Sequence, residues 1–280
     1  MLRHHTVRTS RDNDIAYTMV GPPGGGSAPP IFFIHPINLR KECWLGLMPA
    51  LATERLCVAV DLAGHGESDD DEDFSLGAWV SDCVDVVNAL DLPALHVVGG
   101  SLGGAIALCV AADLGDRALS ATAMGAYLGN PEGGDSDLLR MVERHTVEDL
   151  FAILAREAVA PGSPETLIAT VRHQTNRHGK EIVRAVLQAA NTADASTWLP
   201  RLRCPALILT GEHDTTCTSE DGERLATAAG GRHQPLPGLG HLPMLEAPET
   251  LLRVLVPHLT AGRPDQRSLK DGHSTARSSR

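Results

Sequence analysis

Val97-Val98-Gly99-Gly100-Ser101-Leu102-Gly103-Gly104 sets a serine between two apolar stretches, with a glycine two positions to either side. Upstream, residues 95–98 predict a short buried strand; downstream, residues 105–112 (AIALCVAA) are apolar nearly all round and predict a central buried helix beginning near Leu102. A serine at such a strand-to-helix junction is forced into a strained backbone conformation. Gly99 and Gly103 lack the Cβ atoms that would collide as strand and helix close over the turn. The hydroxyl is thereby presented above the sheet edge, where the Leu102 N–H and the positive end of the helix dipole can meet a developing oxyanion. An ordinary glycine-rich turn is the bland alternative, and the strand and helix context disfavours it.

Working outward, residues 31–34 (IFFI) and 56–60 are continuous apolar runs bounded by turn signals, as in parallel strands covered on both faces. Leu76, Val80, Val84, Val87 and Leu90 recur at three- and four-residue spacing and predict an amphipathic helix. Residues 15–20 read as an earlier strand, 21–30 (GPPGGGSAPP) as a loop and 120–124 as a strand after the buried helix. From 127 to 199 the pattern changes, with helix-like segments at 138–143, 147–158, 165–173 and 180–190. Residues 205–210 restore the strand pattern, and 251–259 supply a last amphipathic helix. The expected organisation is one α/β core from residues 1–126 and 200–260, a helical insertion at 127–199 and a disordered tail at 261–280, where apolar residues are too few to offset the entropy of ordering.

The 280 residues carry a formal charge of −11 and are 42% hydrophobic but only 3% aromatic, so the core must be packed from aliphatic side chains. The charge opposes attraction to a phosphate backbone and argues against a nucleic-acid partner. No run approaches the roughly 18 apolar residues of a membrane span, and Met1-Leu2-Arg3-His4-His5-Thr6 lacks the apolar stretch of a secretory signal. A cytoplasmic protein with no membrane partner is expected. Cys43, Cys57, Cys83, Cys109, Cys204 and Cys217 form no C-x-x-C pair and read as free thiols. The acidic run at 69–73 (DDDED) lacks cation-loop spacing and reads as solvated. With no metal motif and no dinucleotide glycine pattern, neither a metal nor a cofactor is expected. The expected partner is a small-molecule substrate, and association with a second copy of the chain is left open.

A serine hydroxyl is a weak nucleophile at neutral pH and needs a histidine base oriented by a carboxylate. Residues 206–210 (ALILT) lead into Gly211-Glu212-His213-Asp214, which sets Asp214 just past the C-terminal end of a predicted buried strand. Open α/β sheets gather their functional groups at that edge. Gly238-Leu239-Gly240-His241 precedes a helix, so His241 lies on a loop able to return there. Glu212 is the alternative acid. His4, His5, His145, His173, His178 and His273 have no comparable position and read as surface residues.

Five pieces in order then carry a resemblance: His35 after the IFFI run, Asp61-Leu62-Ala63-Gly64-His65-Gly66-Glu67-Ser68, the turn at 99–104, Gly211-Glu212-His213-Asp214, and Gly240-His241 with Glu246-Ala247-Pro248-Glu249. Together they resemble the α/β-hydrolase superfamily over nearly the whole chain to about residue 260. The chain is similar to its small capped members: 3-oxoadipate enol-lactonases, haloperoxidase-like esterases and carbon–carbon bond hydrolases of ring-cleavage pathways. The resemblance implies an α/β-hydrolase fold, with a mostly parallel central sheet flanked by helices and a helical cap inserted after the sixth strand. It implies Ser101 as nucleophile, His241 as base, Asp214 as its orienting acid, the N–H groups of Ile37 and Leu102 as oxyanion hole, and a structural role for His65. One departure is that the family's usual His-Gly is here His35-Pro36-Ile37-Asn38. Proline has no N–H and biases its neighbour toward extended backbone, so the Ile37 donor survives while its orientation is left open. Asn38 can add a donor, contact substrate or simply shape the loop.

Serine rather than aspartate at the turn points to attack on a carbonyl. The expectation is a serine hydrolase of a small carboxylic ester or lactone, acting through an acyl-enzyme. Carbon–carbon cleavage of a β-diketone-like ring-cleavage product would use the same triad, although such hydrolases often carry Asn where Gly100 stands. Acyl transfer or perhydrolysis would differ only in the second nucleophile. A ligand receptor on a disabled hydrolase scaffold is the non-enzymatic alternative, and such a protein is expected to lose a triad member. In the insertion, residues 171–180 (VRHQTNRHGK) are locally basic, which suits either an anionic substrate or a solvated helix face. Trp44 and Trp198 are candidates to line an apolar substrate pocket, with packing the equal alternative.

Overall fold

The computed structural model describes residues 3–23, 26–129 and 136–261. Strands β1 (Arg3–Arg8), β2 (Asp14–Val20), β3 (Ile31–Ile34), β4 (Cys57–Val60), β5 (Leu95–Gly100), β6 (Ala118–Met124), β7 (Ala206–Gly211) and β8 (Arg232–Leu236) form one sheet in the order β1-β2-β4-β3-β5-β6-β7-β8. β1 pairs with β2, and β2 with β4, antiparallel; the remaining pairings are parallel. This is the α/β-hydrolase architecture that the motifs imply.

The central strands read as unbroken apolar runs because helices cover both faces, and successive side chains point to opposite sides. Phe32, Ile34, Val58, Val60 and Val97 pack with helices Leu76–Ala89 and Leu102–Leu114. Ile31, Phe33, Cys57, Ala59 and Val98 pack instead with Trp44, Met48 and helix Pro248–Ala261. In helix Leu102–Leu114 every residue except Asp113 is buried, as its composition demands. All the cysteines are free, and Cys204 alone among them is not fully buried.

Two strands and a helix go beyond the sequence reading. β1 and β8 (RHQPL) are sheet edges, where one flank is open and polar side chains, even Pro235, are tolerated, so neither shows an apolar run. Helix Ser219–Ala228 has a low apolar content and is nucleated by a capping box of Thr218 and Asp221. In the acidic run Asp69, Asp70, Glu72 and Asp73 are exposed, as expected, while Asp71 accepts hydrogen bonds from Arg11 Nη2 (2.6 Å) and Asn13 Nδ2 (2.5 Å), which ties the turn to the β1–β2 hairpin.

Between β6 and β7 lie helices Asp137–Arg144, Val147–Glu157, Glu165–His173 and Lys180–Asn191, with Val142, Leu150, Phe151, Val183 and Leu187 packed into a cluster of their own. Helix Pro248–Ala261 runs one residue into the segment expected as a tail, and residues 262–280 lie outside the described residues. Among the described residues no helix is long and apolar enough to cross a membrane. Because β3, β5, β6 and β7 run parallel, their C-terminal ends share one edge, with Ile34 beside Gly99, Gly100 beside Met124 and Met124 beside Leu209. The segments after these strands therefore converge without further design.

Candidate active site

Ser101 follows β5 directly and has φ 52° and ψ −130°, a conformation that a non-glycine residue adopts only when its surroundings impose it. Its N–H donates to Met124 O (2.7 Å), which pins the turn to β6. A Cβ on Gly99 would lie 2.0 Å from Gly103 O, and one on Gly103 would lie 2.2 Å from His35 O, so both glycines are required by close backbone approach. Leu102 opens the helix, and its N–H has no carbonyl one turn earlier in that helix to accept it.

Asp214 stands three residues past the end of β7, and His241 on the loop after β8. His241 Nδ1 donates to Asp214 Oδ2 at 2.8 Å, while Asp214 Oδ1 accepts the N–H groups of Thr216 and Cys217, both at 2.9 Å. The carboxylate is thus held on both oxygens. With Nδ1 carrying the proton, Nε2 is the basic nitrogen of the ring. Glu212, the alternative acid, turns elsewhere and accepts the Gly238 N–H (2.8 Å).

Ser101 and His241 line one cavity of about 220 Å³, together with Pro36, Ile37, Asn38 and Phe151. The Pro36 carbonyl accepts both His35 Nδ1–H (2.7 Å) and Leu39 N–H (3.0 Å), and His35 Nε2 accepts the Leu62 N–H (3.0 Å), which fixes the tautomer. A trans peptide directs its N–H opposite to its C=O. The Ile37 N–H is therefore turned away from those two donors, and the loop is held without the usual glycine. Burial pushes the His35 imidazole down to about 4, so it serves as a neutral strut. His65, beside it with ring centroids 4.9 Å apart, is pushed down to about 3 by burial and then by His35.

Asn38 is buried with φ 60°, and its Oδ1 has no hydrogen-bond partner among the described residues. The two tryptophans are not brought to the cavity. Trp44 is fully buried, stacked at a tilt on Phe33 (5.1 Å between centroids), and Trp198 is half-buried against the core on the other sheet face. Packing in the apolar layers accounts for both, which corrects their assignment to a pocket.

Three further residues position the site. Gly125, just after β6, has φ 52°; a Cβ there would lie 2.9 Å from Asp214 Oδ2 and 3.0 Å from His241 Nδ1. Glu246 accepts the N–H groups of Gly240 (2.8 Å), Leu242 (3.0 Å) and Ala160 (2.9 Å), clamping the His241 loop from both sides. Its place in the 246–249 motif was the available signal. Lys41, 1% exposed, donates to Asp61 Oδ2 (2.6 Å) and Glu67 Oε2 (2.7 Å), and so braces the turn after β4 against the loop after β3.

A family model described as alpha/beta hydrolase family matches residues 31–254. The chain is 38% identical over 84 residues to an uncharacterized protein of Mycobacterium tuberculosis, covering 30% of this chain and 25% of that protein, so the chain spans about a quarter of that relative's length. It is 25% identical over 256 residues to 3-oxoadipate enol-lactonase 1 of Acinetobacter baylyi, covering 90% of this chain and 95% of that protein. Among solved structures, the enol-lactonase from Burkholderia xenovorans LB400 superposes with a TM-score of 0.82 at 22% identity, covering 91% of this chain and 100% of that one, a likeness of fold.

Proposed function

The chain belongs to the alpha/beta hydrolase family, and from that membership we propose that it is a serine hydrolase cleaving a small carboxylic ester or lactone through an acyl-enzyme. The observation that best supports this is the 2.8 Å contact between His241 Nδ1 and Asp214 Oδ2 at a cavity that Ser101 also lines. His241 Nε2 takes the Ser101 hydroxyl proton as Oγ attacks the acyl carbon. The N–H groups of Ile37 and Leu102 receive the oxyanion, each such donor contributing about 2.7–4 kcal/mol to lowering the barrier. His241 returns the proton to the leaving oxygen, which in a lactone stays attached to the acyl chain. Water, deprotonated by the same nitrogen, then releases the acid and restores Ser101. The helices between β6 and β7 act as the cap, since Phe151 and Val171 help line the cavity.

Ester or lactone cleavage is favoured over carbon–carbon cleavage by the surroundings of Gly100. A Cβ there would lie 2.7 Å from Met244 Cε and 3.0 Å from Pro36 Cγ, so the asparagine of those hydrolases would enter only by displacing the Met244 side chain and crowding Pro36. Full-length similarity to an enol-lactonase points the same way.

The test is a fluorophosphonate followed by peptide mass mapping, beside a panel of p-nitrophenyl esters, lactones and β-diketones. We expect an adduct on Ser101 and turnover of esters or lactones that Ser101→Ala abolishes. Asp214→Asn should cripple the rate, about 10⁴-fold in kcat by analogy with other triads, and Glu212→Gln should be milder. No adduct on folded protein would favour a receptor, and turnover by Ser101→Ala within twofold of the parent would end the mechanism.

A further inference from the structure

Beside the Ser101 cavity lies a second, larger concavity of about 1060 Å³, formed by the first three helices after β6 and the segment that follows them. Phe151 and Thr175 line both spaces, so the two adjoin across a thin wall. Among the described residues, the charged lining of the larger one is Arg144, Arg172, Arg177 and Lys180 against the single carboxylate of Glu148. That is a concentration of positive charge in a chain whose formal charge is −11. Among the described residues, the guanidinium groups of Arg144, Arg172 and Arg177 have no hydrogen-bond or ion-pair partner, whereas Arg156 on helix Val147–Glu157 and Arg184 on helix Lys180–Asn191 are paired with Glu165 and Glu143.

The segment carrying these cations is fastened to the catalytic core. Asn176, buried, donates its backbone N–H to Asn38 O (2.7 Å) and its Nδ2 to Gly64 O (2.7 Å). Arg40 Nη2 donates to His173 O (2.8 Å). Lys180 Nζ closes the far side on the carbonyls of Glu143 (3.2 Å) and His145 (3.0 Å). Residues 173–176 are therefore bolted to the same loop that supplies Ile37 and Asn38 to the Ser101 cavity. Guanidinium forks fit oxyanions bidentately, and a concave cationic wall focuses the field on what enters it.

Building on the hydrolase reading, we propose that this cleft is a subsite for an oxyanion, a carboxylate or a phosphate, borne by the acyl substrate at a distance from the bond that Ser101 attacks. The substrate class is then an ester or lactone with an anionic far end, held by Arg172, Arg177 and Arg144 while its carbonyl lies at Ser101.

The experiment compares p-nitrophenyl monoesters of C6 to C10 dicarboxylic acids with the same esters capped as methyl esters. The anionic member should be preferred in kcat/KM at one or two chain lengths. The double variant Arg172→Gln/Arg177→Gln should cut that ratio at least tenfold, while Arg224→Gln, a charge control on helix Ser219–Ala228, leaves it in place. A readout without turnover uses Ser101→Ala: the matching dicarboxylate or inorganic phosphate should raise its unfolding temperature, the stronger of the two naming the group, and the double substitution should remove the rise. A ratio unchanged within twofold by the double variant, or protection by polyglutamate but by neither small anion, would overturn the subsite. Absence of any turnover together with no fluorophosphonate adduct on Ser101 would instead overturn the hydrolase reading beneath it.

Discussion

Gly125→Ala probes the least obvious element of the site. The new Cβ would lie 2.9 Å from Asp214 Oδ2 and 3.0 Å from His241 Nδ1, inside normal contact with the two atoms that bond each other. Relief by side-chain movement is blocked on one side, because Asp214 Oδ1 is held by two backbone N–H groups at 2.9 Å. Backbone movement is resisted as well, since Gly125 N–H donates to Leu209 O (2.8 Å) and Ser101 N–H to the neighbouring Met124 O (2.7 Å). The imidazole must yield, and a displacement near 1 Å in a reacting group costs about 10²-fold in rate. Separately, alanine at φ 52° carries about 1–2 kcal/mol of left-handed backbone strain, equivalent to a fall of about 2–8 °C in Tm for a domain of this size. The assay is p-nitrophenyl ester hydrolysis with the rate of fluorophosphonate labelling, alongside thermal unfolding. A variant with kcat within threefold of the parent and normal labelling would refute the idea that this position keeps space for the His–Asp pair.

Two other perturbations test the scaffold. Lys41→Met leaves the carboxylate of Asp61 buried without its counter-ion, and stability should fall by about 3–5 kcal/mol in urea unfolding, whereas the double variant Lys41→Met/Asp61→Asn, which removes the charge but keeps an acceptor oxygen for the backbone N–H groups of residues 41 and 67, should regain part of the loss. His35 ionises at about 4 when folded, against about 6.5 in an unfolded chain, so its contribution is fully present above pH 6.5 and is lost as pH falls toward 4. Between those values the unfolded chain binds one more proton at this site, and His35→Asn should flatten the slope of stability against pH by about 1.4 kcal/mol per pH unit; an unchanged slope would show that His35 is not held neutral.

The central strands were legible because both faces are buried, which writes an unbroken apolar run into residues 31–34, 56–60, 95–98 and 205–210. The insertion was legible as four helix-like segments, and helix Leu76–Ala89 from its three- and four-residue apolar spacing. Edge strands β1 and β8 were not, since an edge needs no apolar signature. Ser101, Asp214 and His241 stood out by local context: each follows an apolar run or a glycine turn that ends at a sheet edge. Trp44 and Trp198 carry no local mark that separates packing from pocket, and the structure assigns both to packing.

Chain order and periodicity by themselves determined an α/β core with a serine at a strand-to-helix turn, because burial on two faces and steric closure over a turn leave direct traces in residue type. Which acid reaches His241, how the Pro36 carbonyl holds the loop after β3, why Gly125 has no side chain, and that cations of the insertion share a cleft adjoining the Ser101 cavity were decided only by the tertiary structure. Each depends on distances between segments remote in sequence, such as Asp214 and His241 or Asn38 and Asn176, and no local pattern encodes such a distance.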